Sequence, residues 1–298
     1  MSLKKFSGLI LVVLISILPL VNLLTPGLPI THDGLDHVVR IANFYKSLSE
    51  GVIIPRWAGE LNWGYGHPIL MFLYPLPSYC ASFFHLLGFS FVDSFKLLFA
   101  TSFILSGIFM YLWLKEFLGD KSAVVGASLY LFAPYRFIDL YVRGAIGEHV
   151  AFVFMPLVLY AIYKLNSSLV KNKLRNNYLK VIFAGFSFAG LILSHNAISL
   201  LFTPFIVFYI IYLFYEHRSK TKLILSFLSL FLGLLYSFFF WFPAFMEGKY
   251  TLRDIVTAGE YVHRFIKPES LIFGAWSFGG SGVFSTQVGI IHLLLVTI

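Results

Sequence analysis

Long apolar runs separated by short polar segments dominate the chain from end to end. A membrane-spanning helix needs about 20 predominantly apolar residues, so the pattern predicts an all-α, polytopic membrane helix bundle forming a single transmembrane domain over residues 1–298. A last run begins near residue 287 and is too short to span, so we expect a chain truncated at its C-terminus. The runs of spanning or near-spanning length lie at about 6–24, 69–88, 92–118, 122–135, 149–165, 178–194, 197–215 and 223–242.

The composition agrees with a membrane protein and argues against other classes. Hydrophobic residues make up 58% and charged residues 12% of the chain, and the mean hydropathy is +0.82, whereas about a quarter of a soluble domain is charged. We attribute the net charge of +8 to Lys and Arg in cytoplasmic loops and expect no nucleic-acid partner. Because Cys80 is the single cysteine, an internal disulfide and a cysteine-based metal cluster are excluded.

The basic residues predict the orientation. Lys4 and Lys5 precede the first apolar run, and residues 164–180 and 216–222 are rich in Lys and Arg. We expect all three regions in the cytoplasm. No small-x-small cleavage site follows the first run, so we interpret it as an uncleaved first transmembrane helix. The predicted location is the plasma (inner) membrane, with the N-terminus cytoplasmic.

The number of spans depends on the run at 69–88. If every run crossed the membrane, the N-terminus and the Lys-rich loops would lie on opposite sides. The run at 69–88 contains Pro75, Pro77 and His85, and proline breaks helices. We therefore predict a juxtamembrane helix on the outer side here. Seven spans remain, with a first outer loop over about residues 25–91.

Charged residues are concentrated at the start of this outer loop. Asp33 and His37 are four positions apart, as are Asp36 and Arg40. In one interpretation Asp33 caps a helix and Asp36 forms an exposed ion pair with Arg40. In the other, Asp33 is a catalytic carboxylate or a metal ligand; the two are compatible. The amphipathic helix is predicted from apolar residues at helical spacing, namely Val38, Ile41, Tyr45 and Leu48.

Other outer segments carry candidate ligand-binding side chains. Trp57 lies in the Gly- and Pro-rich segment 55–68, where aromatic rings suit either sugar binding or anchoring at the membrane interface. His195, in the turn "LSHNA", either caps a helix or contacts a metal or a phosphate. Arg264 lies in the outer loop 243–286.

The segment 133–149, "APYRFIDLYVRGAIGEH", is predicted as a polar outer loop. Arg143 precedes a Gly-Ala pair, and Arg is the side chain best suited to bind a phosphate. The alternative is a set of ion pairs that stabilise the loop. The charged residues and histidine of this segment are Arg136, Asp139, Arg143, Glu148 and His149.

A first helix followed by an outer loop with an early acid and an amphipathic helix resembles the GT-C superfamily of membrane glycosyltransferases. "THDG" at residues 31–34 looks like the first-loop acidic motif of that superfamily, and by match the catalytic or metal-binding acid falls on Asp33. The resemblance implies a sugar donor linked to polyprenyl phosphate and an external juxtamembrane helix before the second span. It also implies a second acid in the next outer loop, for which Asp139 and Glu148 are available.

A narrower resemblance covers nearly all of the chain. The segments "PRW…LNWGYGHP", "YLFAPYRFIDLYVRGAIGE" and "LSHN" are similar to a prokaryotic membrane-protein family labelled 6-pyruvoyl-tetrahydropterin synthase-related. The GT-C resemblance covers mainly residues 1–165.

These observations predict a membrane glycosyltransferase that moves a sugar from a polyprenyl-phosphate donor to an envelope or lipid acceptor on the outer face. Asp33 would act as general base or would bind Mg²⁺ or Mn²⁺ together with His195. Membrane lipids are the other expected partners. The alternative is a non-enzymatic membrane protein, such as a lipid or polysaccharide flippase or a scaffold for envelope assembly. The predicted catalytic residues are Asp33, Glu148 and Asp139, and the predicted substrate-binding residues are His37, Arg40, Trp57, Arg143, His195 and Arg264.

Overall fold

The computed structural model describes residues 7–167, 174–251, 258–259, 262, 265–275 and 285–297, the side chains at 174–176 excepted. These residues form helices and no strand, apart from an isolated antiparallel bridge between Ala58 and His67, which confirms the all-α class. The α-helices, numbered along the chain, are α1 Ser7–Ile17, α2 Gly34–Ser49, α3 Ile69–Phe72, α4 Leu76–Leu86, α5 Phe91–Leu118, α6 Asp120–Leu131, α7 Pro134–Ile138, α8 Ile146–Ser167, α9 Leu174–Ser194, α10 Asn196–His217, α11 Lys220–Tyr236, α12 Phe238–Glu247, α13 Glu269–Ile272 and α14 Ile290–Thr297.

Several of these helices have the length and apolar composition of membrane spans. Two bent pairs, α6 with α7 and α11 with α12, turn by 47° and 65° and bring the number of candidate spans to seven if each pair is one span. The seven predicted spans fall on these segments, as expected for a multi-pass membrane protein. The five single candidate spans within the described residues are Ser7–Leu24, Phe91–Leu118, Ile146–Ser167, Asn177–Ser194 and Asn196–His217.

The apolar run at 69–88 forms two short helices. α3 has 4 residues and α4 has 11, and neither is long enough to cross a bilayer. Pro75 is the N-cap residue of α4, and Pro77 lies in its first turn, a position where proline is well tolerated. The prolines therefore break the run as predicted.

The bundle is organised around α5 and α8, which pack against each other. α1 and α6 pack on α5, while α9 lies between α8 and α11. Glycines permit the close approaches: a Cβ built at Gly190 would lie 2.1 Å from the Phe154 ring, and one at Gly233 would lie 2.9 Å from the Gly185 carbonyl oxygen. Small residues at helix interfaces allow such packing where lipid surrounds the bundle.

Ion pairs identify one end of the bundle. Lys115 contacts Asp120 at 2.6 Å, and Lys164 contacts Glu116 at 3.2 Å. A Cβ on Gly8 would lie 2.6 Å from the Asp120 carboxylate. The start of α1, the turn between α5 and α6, and the end of α8 therefore share one end. This agrees with the predicted grouping of cytoplasmic segments.

The segment predicted as the first outer loop, residues 25–91, covers the opposite end. α2 packs on α4 and α5, with Ile41 buried and Val38, Tyr45 and Leu48 half-buried, so the predicted apolar face points inward. Lys96, at the start of α5, donates hydrogen bonds to the carbonyl oxygens of Thr25 (2.7 Å) and Gly27 (3.3 Å). These bonds fix the path of the chain from the first span into α2.

Candidate functional site

Two segments far apart in sequence meet at the N-terminal end of α2. The backbone N–H of His32 donates to the Val142 carbonyl (2.9 Å), and that of Asp33 donates to the Arg143 carbonyl (2.8 Å). The second segment is a π-helical turn over Asp139–Arg143, a conformation often found at functional sites. This pairing brings the Asp33 and Arg143 positions next to each other.

Thr31 fits between two glycines at this crossing. A Cβ on Gly144 would lie 2.3 Å from the Thr31 hydroxyl oxygen, and one on Gly34 would lie 2.5 Å from the same atom. Gly144 also has a φ of +67°, which glycine adopts at little cost. The hydroxyl of Thr31 accepts a hydrogen bond from the Gly34 N–H (3.2 Å). Asp33 is thus the N-cap residue by position, but Thr31 makes the side-chain bond at this helix start.

Arg143 binds the acid that begins α8. Its Nη1 donates to the Glu148 carboxylate and to the Tyr135 hydroxyl. The Tyr135 hydroxyl donates in turn to the other Glu148 oxygen at 2.5 Å. The Glu148 side chain is 9% exposed and that of Arg143 is 26% exposed. The predicted phosphate-binding arginine therefore lies at the edge of the bundle, held by a buried acid and a tyrosine.

His195 joins this group from the turn between α9 and α10. Its Nδ1 accepts a hydrogen bond from the Ile198 N–H (3.2 Å), so the proton of the neutral ring is on Nε2. Nε2 lies 4.0 Å from a Glu148 carboxylate oxygen. Burial lowers the pKa of His195; Glu148 opposes this shift and Arg143 adds to it. His195 is therefore both the cap of α10 and a neutral N–H donor facing the site.

His37 and Arg40 line the group from α2. The pKa of His37 is lowered to about 3, mainly by burial and then by the charge of Arg40. His195 and Arg143 act on the His37 pKa in the same direction. The Arg40 side chain is 25% exposed and contacts Asp36 at 3.3 Å, as predicted for an i,i+4 pair. His37 is thus neutral at physiological pH.

Tyr74, from the break between α3 and α4, lies among these charges. Its ring centroid is 4.9 Å from that of His195. Burial raises the pKa of the Tyr74 hydroxyl, and the carboxylates of Glu148 and Asp33 are among the groups that add to the rise. Tyr74 therefore shares one electrostatic environment with Asp33 at the head of α2 and with Glu148 at the start of α8. The Asp33 cluster is defined here as Asp33, His37, Arg40, Tyr74, Tyr135, Arg143, Glu148 and His195.

Asp33 is a half-buried acid at the head of α2. Its side chain does not cap its own helix. The Asp33 carboxylate has no hydrogen bond or ion pair with any other residue that the structure describes, although the Asp33 backbone is hydrogen-bonded to Arg143 and His37. By contrast, the oxygens of Glu148 are bonded to Arg143 and Tyr135. Asp33 is thus the acid of the cluster whose carboxylate is not already held by another described side chain.

Asp139 is not in contact with solvent, contrary to the prediction that it lines the site. Its side chain and that of His149 are 0% exposed and meet at 3.0 Å. Arg136 is also buried and donates to the Ser106 hydroxyl at 2.9 Å. The predicted loop is helical here, with one face turned into the bundle. Of the two acids that the sequence left open, Glu148 is the one in the cluster.

Two other predicted site residues are not part of the cluster. Trp57 lines a separate cleft beside the C-terminal half of α2. Arg264 lies outside the residues that the structure describes. Sequence reasoning missed Thr31, Tyr74 and Tyr135. Thr31 and Tyr135 lie in or next to segments singled out for their charges, whereas Tyr74 lies beside Pro75 in the broken apolar run 69–88.

The side chains of the Asp33 cluster do not form a set of ligands for a divalent metal ion. Among the described residues, no group of three or more His, Cys, Asp or Glu side chains could hold a metal ion. Mg²⁺ prefers six oxygen ligands, whereas both Glu148 oxygens are already bonded within the cluster. The predicted metal-binding role of Asp33 and His195 gains no support from this geometry, and no step below uses a metal.

Comparison with known proteins gives one distant relative to report. No protein-family model matches the chain, and no solved structure matches it. An uncharacterized protein of Lactococcus lactis subsp. cremoris (strain MG1363) is 25% identical over 236 residues, which cover 75% of this chain and 37% of the relative. The chain thus spans well under half of the relative's length. Since the relative's description states no activity, the function has to be inferred from the cluster.

Proposed function

We propose that the chain is a GT-C-like integral-membrane glycosyltransferase that uses a sugar linked to polyprenyl phosphate. The observation that supports this best is the convergence of Asp33, Arg143 and His195, from three distant segments, in one half-buried cluster at an end of the helical bundle. The remaining elements of the proposal are an outer-face site in the plasma membrane and an envelope or lipid acceptor.

The proposed reaction breaks one bond and forms another. The bond between the anomeric carbon and the phosphate oxygen breaks, and its electron pair stays on the polyprenyl phosphate. The acceptor hydroxyl oxygen forms the new bond to the anomeric carbon. Asp33 takes the proton of that hydroxyl as general base, a role that contributes about 10²–10⁴ in rate.

The other residues of the cluster stabilise the leaving group. Negative charge grows on the phosphate as the glycosidic bond breaks, and donors fixed in advance stabilise such charge. The Nε2–H of His195 and the guanidinium of Arg143 serve as these donors. Glu148 and Tyr135 position Arg143 through the bonds described above. Arg40 and the neutral His37 keep the Asp33 side of the cluster polar without adding a further acid.

A non-enzymatic flippase requires a different distribution of polar groups. Such a protein needs a polar path that runs through the bilayer. The described charged side chains instead lie mainly at the two ends of the bundle, and the deeper Arg136 is packed among the rings of Phe103, Tyr130 and Phe152. This arrangement favours the transferase over the transporter.

Measuring which class of sugar donor the chain uses tests this function directly. The purified chain in proteoliposomes is given tritiated glucose, mannose, galactose or arabinose, each on undecaprenyl phosphate or on a nucleoside diphosphate. We expect label to leave at least one lipid-linked donor, with free polyprenyl phosphate formed in equal amount. Release from nucleotide-linked sugars alone, or from none of the donors, would contradict the proposal.

A further inference from the structure

A cleft lined by polar and apolar side chains lies beside the C-terminal half of α2, apart from the Asp33 cluster. Its volume is about 560 Å³, within the range of roughly 300–1,000 Å³ typical of small-molecule sites. Because an α-helix rises 1.5 Å per residue, the cleft begins about 15 Å from Asp33 along α2. We call it the α2 cleft. Val52 and Ile54 contribute to its apolar lining, and the polar and aromatic side chains used below are Asn43, Lys46, Glu50, Arg56, Trp57 and Glu60.

The walls of the α2 cleft are held in place by specific bonds. Asn43 is 5% exposed; it donates to the Val39 carbonyl (3.1 Å) and accepts from the Glu60 N–H (3.0 Å). Lys46 contacts the Glu60 carboxylate at 2.5 Å. Within the loop that carries Trp57, the backbone groups of Ala58 and His67 exchange two hydrogen bonds. The loop that carries Trp57 is therefore tied to α2, and the cleft is formed before any ligand arrives.

The indole ring of Trp57 is held in place along the edge that carries Nε1. A Cβ on Gly66 would lie 2.1 Å from the indole Nε1, so the indole lies directly against the backbone at this glycine. Gly66 has a φ of +80°, which disfavours any other residue at this position. The Trp57 residue is nevertheless 53% exposed. An aromatic surface is thus held in place at the wall of the α2 cleft.

The charges of the α2 cleft favour a neutral ligand. Lys46 and Arg56 balance Glu50 and Glu60 in formal charge. The lining offers hydrogen-bond donors and acceptors together, which suits hydroxyl groups because each of these both donates and accepts. The C–H face of a sugar ring carries partial positive charge and packs on the electron-rich face of an indole. Polar hydroxyls around an apolar ring face are the defining chemistry of a saccharide.

We infer that the α2 cleft binds a saccharide, with a sugar ring on Trp57 and hydroxyls bonded to Glu50, Glu60 and Arg56. Saccharide binding stands on the cleft alone. If the proposed function also holds, this ligand is the part of the acceptor remote from the reacting hydroxyl, and the acceptor then extends along α2 toward Asp33. That second assignment rests on the proposed function.

Binding of defined oligosaccharides tests the inference. The chain is purified in a detergent without a sugar headgroup and titrated with maltohexaose, cellohexaose or chitohexaose by calorimetry. We expect saturable binding of at least one, weakened tenfold or more by Trp57→Ala. The matched control is Trp63→Ala in the same loop, where Trp63 is 96% exposed and is not among the cleft residues; it should bind within twofold of the wild type.

Two outcomes would overturn the inference: no saturable binding of any of the three oligosaccharides, or equal binding by Trp57→Ala and the wild type. Glu50→Gln keeps the size of the side chain and therefore separates binding from folding. It should weaken oligosaccharide binding at least threefold while the unfolding temperature stays unchanged. Wild-type affinity in Glu50→Gln would count against the assigned contacts. Asp33→Asn should bind the oligosaccharide normally. Intact binding by a wild-type chain that transfers sugar from none of the lipid-linked donors would support the α2 cleft and reject the proposed function.

Discussion

The two ring nitrogens of His195 bind to different parts of the molecule. Nδ1 accepts the Ile198 N–H at the start of α10, and Nε2 faces Glu148 at 4.0 Å. The fold needs the hydrogen-bond acceptor Nδ1 at the start of α10, whereas the proposed chemistry needs the hydrogen-bond donor Nε2–H. A substitution that keeps one of these functions and removes the other can therefore separate structure from catalysis.

We predict that His195→Asn keeps the fold and reduces sugar transfer. Asn is among the best N-cap residues, so the unfolding temperature should stay close to that of the wild type. Loss of one preorganised donor to the leaving phosphate should lower kcat about 100-fold. The measurement is the transfer rate at saturating donor, beside thermal unfolding. A rate unchanged in a folded His195→Asn protein would remove His195 from the mechanism.

The depressed pKa of His37 predicts a loss of stability in acid. The unfolded chain binds a proton at His37 below pH 6.5, whereas the folded chain does so only near pH 3. Stability therefore falls as the pH drops from 6.5 toward 3, by about 2 kcal/mol at pH 5 for this group.

Equilibrium unfolding in mixed micelles at pH 7.5 and 5 checks the acid effect. The wild type should lose about 2 kcal/mol more than His37→Gln over this interval. His32→Gln, which changes an exposed histidine five positions earlier, should behave like the wild type. Identical losses in the wild type and His37→Gln would show that burial of His37 does not control this response.

Sequence reasoning identified most of the cluster but not the direction in which each side chain points. Glu148 and His149 are adjacent, and neighbours on a helix point about 100° apart. Glu148 consequently reaches Arg143, while His149 turns into the bundle beside Asp139. Charge alone marks both positions as polar. Only the packing of α8 on α5 decides which of them faces the site.

At the scale of elements, the crossing of residues 31–33 with 142–144 holds the site together. Thr31 lies between Gly34 and Gly144, and two backbone hydrogen bonds fix the register of the crossing. The sequence motif around "THDG" thus consists of one acid and of the small residues that allow the second segment to approach it.

We predict that Gly144→Ala disrupts this crossing. Its Cβ would lie 2.3 Å from the Thr31 hydroxyl oxygen, in addition to the strain of a positive φ. The matched control is Gly51→Ala, which has a φ of +89° and no atom within 4 Å of its Cβ. The control should cost only the left-handed strain, about 1–2 kcal/mol.

Unfolding and transfer assays on both variants measure the difference. Gly144→Ala should be clearly less stable than Gly51→Ala and should lose most of its transferase activity, because Asp33 and Arg143 would separate. Equal stability of the two variants would mean that the contact with Thr31 does not constrain the chain.

Helices were easier to predict than the turns between them. The apolar runs and the two prolines of α4 sufficed to predict the candidate spans and the broken segment 69–88. The π-helical turn over Asp139–Arg143 was missed because its sequence reads as an ordinary polar loop. This turn connects the end of α7 at Ile138 to the start of α8 at Ile146, and it places Arg143 beside Glu148.

At the scale of the whole molecule, the two ends of the bundle differ in chemistry. One end carries the ion pairs around Asp120 and Glu116, and the other carries the Asp33 cluster and the α2 cleft. Basic loops at the first end predict that it faces the cytoplasm.

Single cysteines in a Cys80→Ser background test this orientation. Ser49→Cys, at the exposed end of α2, should react with a membrane-impermeant maleimide in intact cells. Ser122→Cys, exposed at the start of α6, should react only after permeabilisation. The opposite pattern, or labelling of both positions from outside, would contradict the predicted topology.

The central claim is that Asp33 removes the proton of the acceptor in a sugar transfer from a lipid-linked donor. The most direct test is the transfer rate from undecaprenyl-phosphate-linked sugar in proteoliposomes, measured for the wild type, Asp33→Asn and Asp36→Asn. Asp36 is the matched control because it begins the same helix with a side chain that is 65% exposed. We predict that Asp33→Asn is at least 100-fold slower than the wild type and that Asp36→Asn stays within twofold. Equal rates for Asp33→Asn and the wild type would contradict the account.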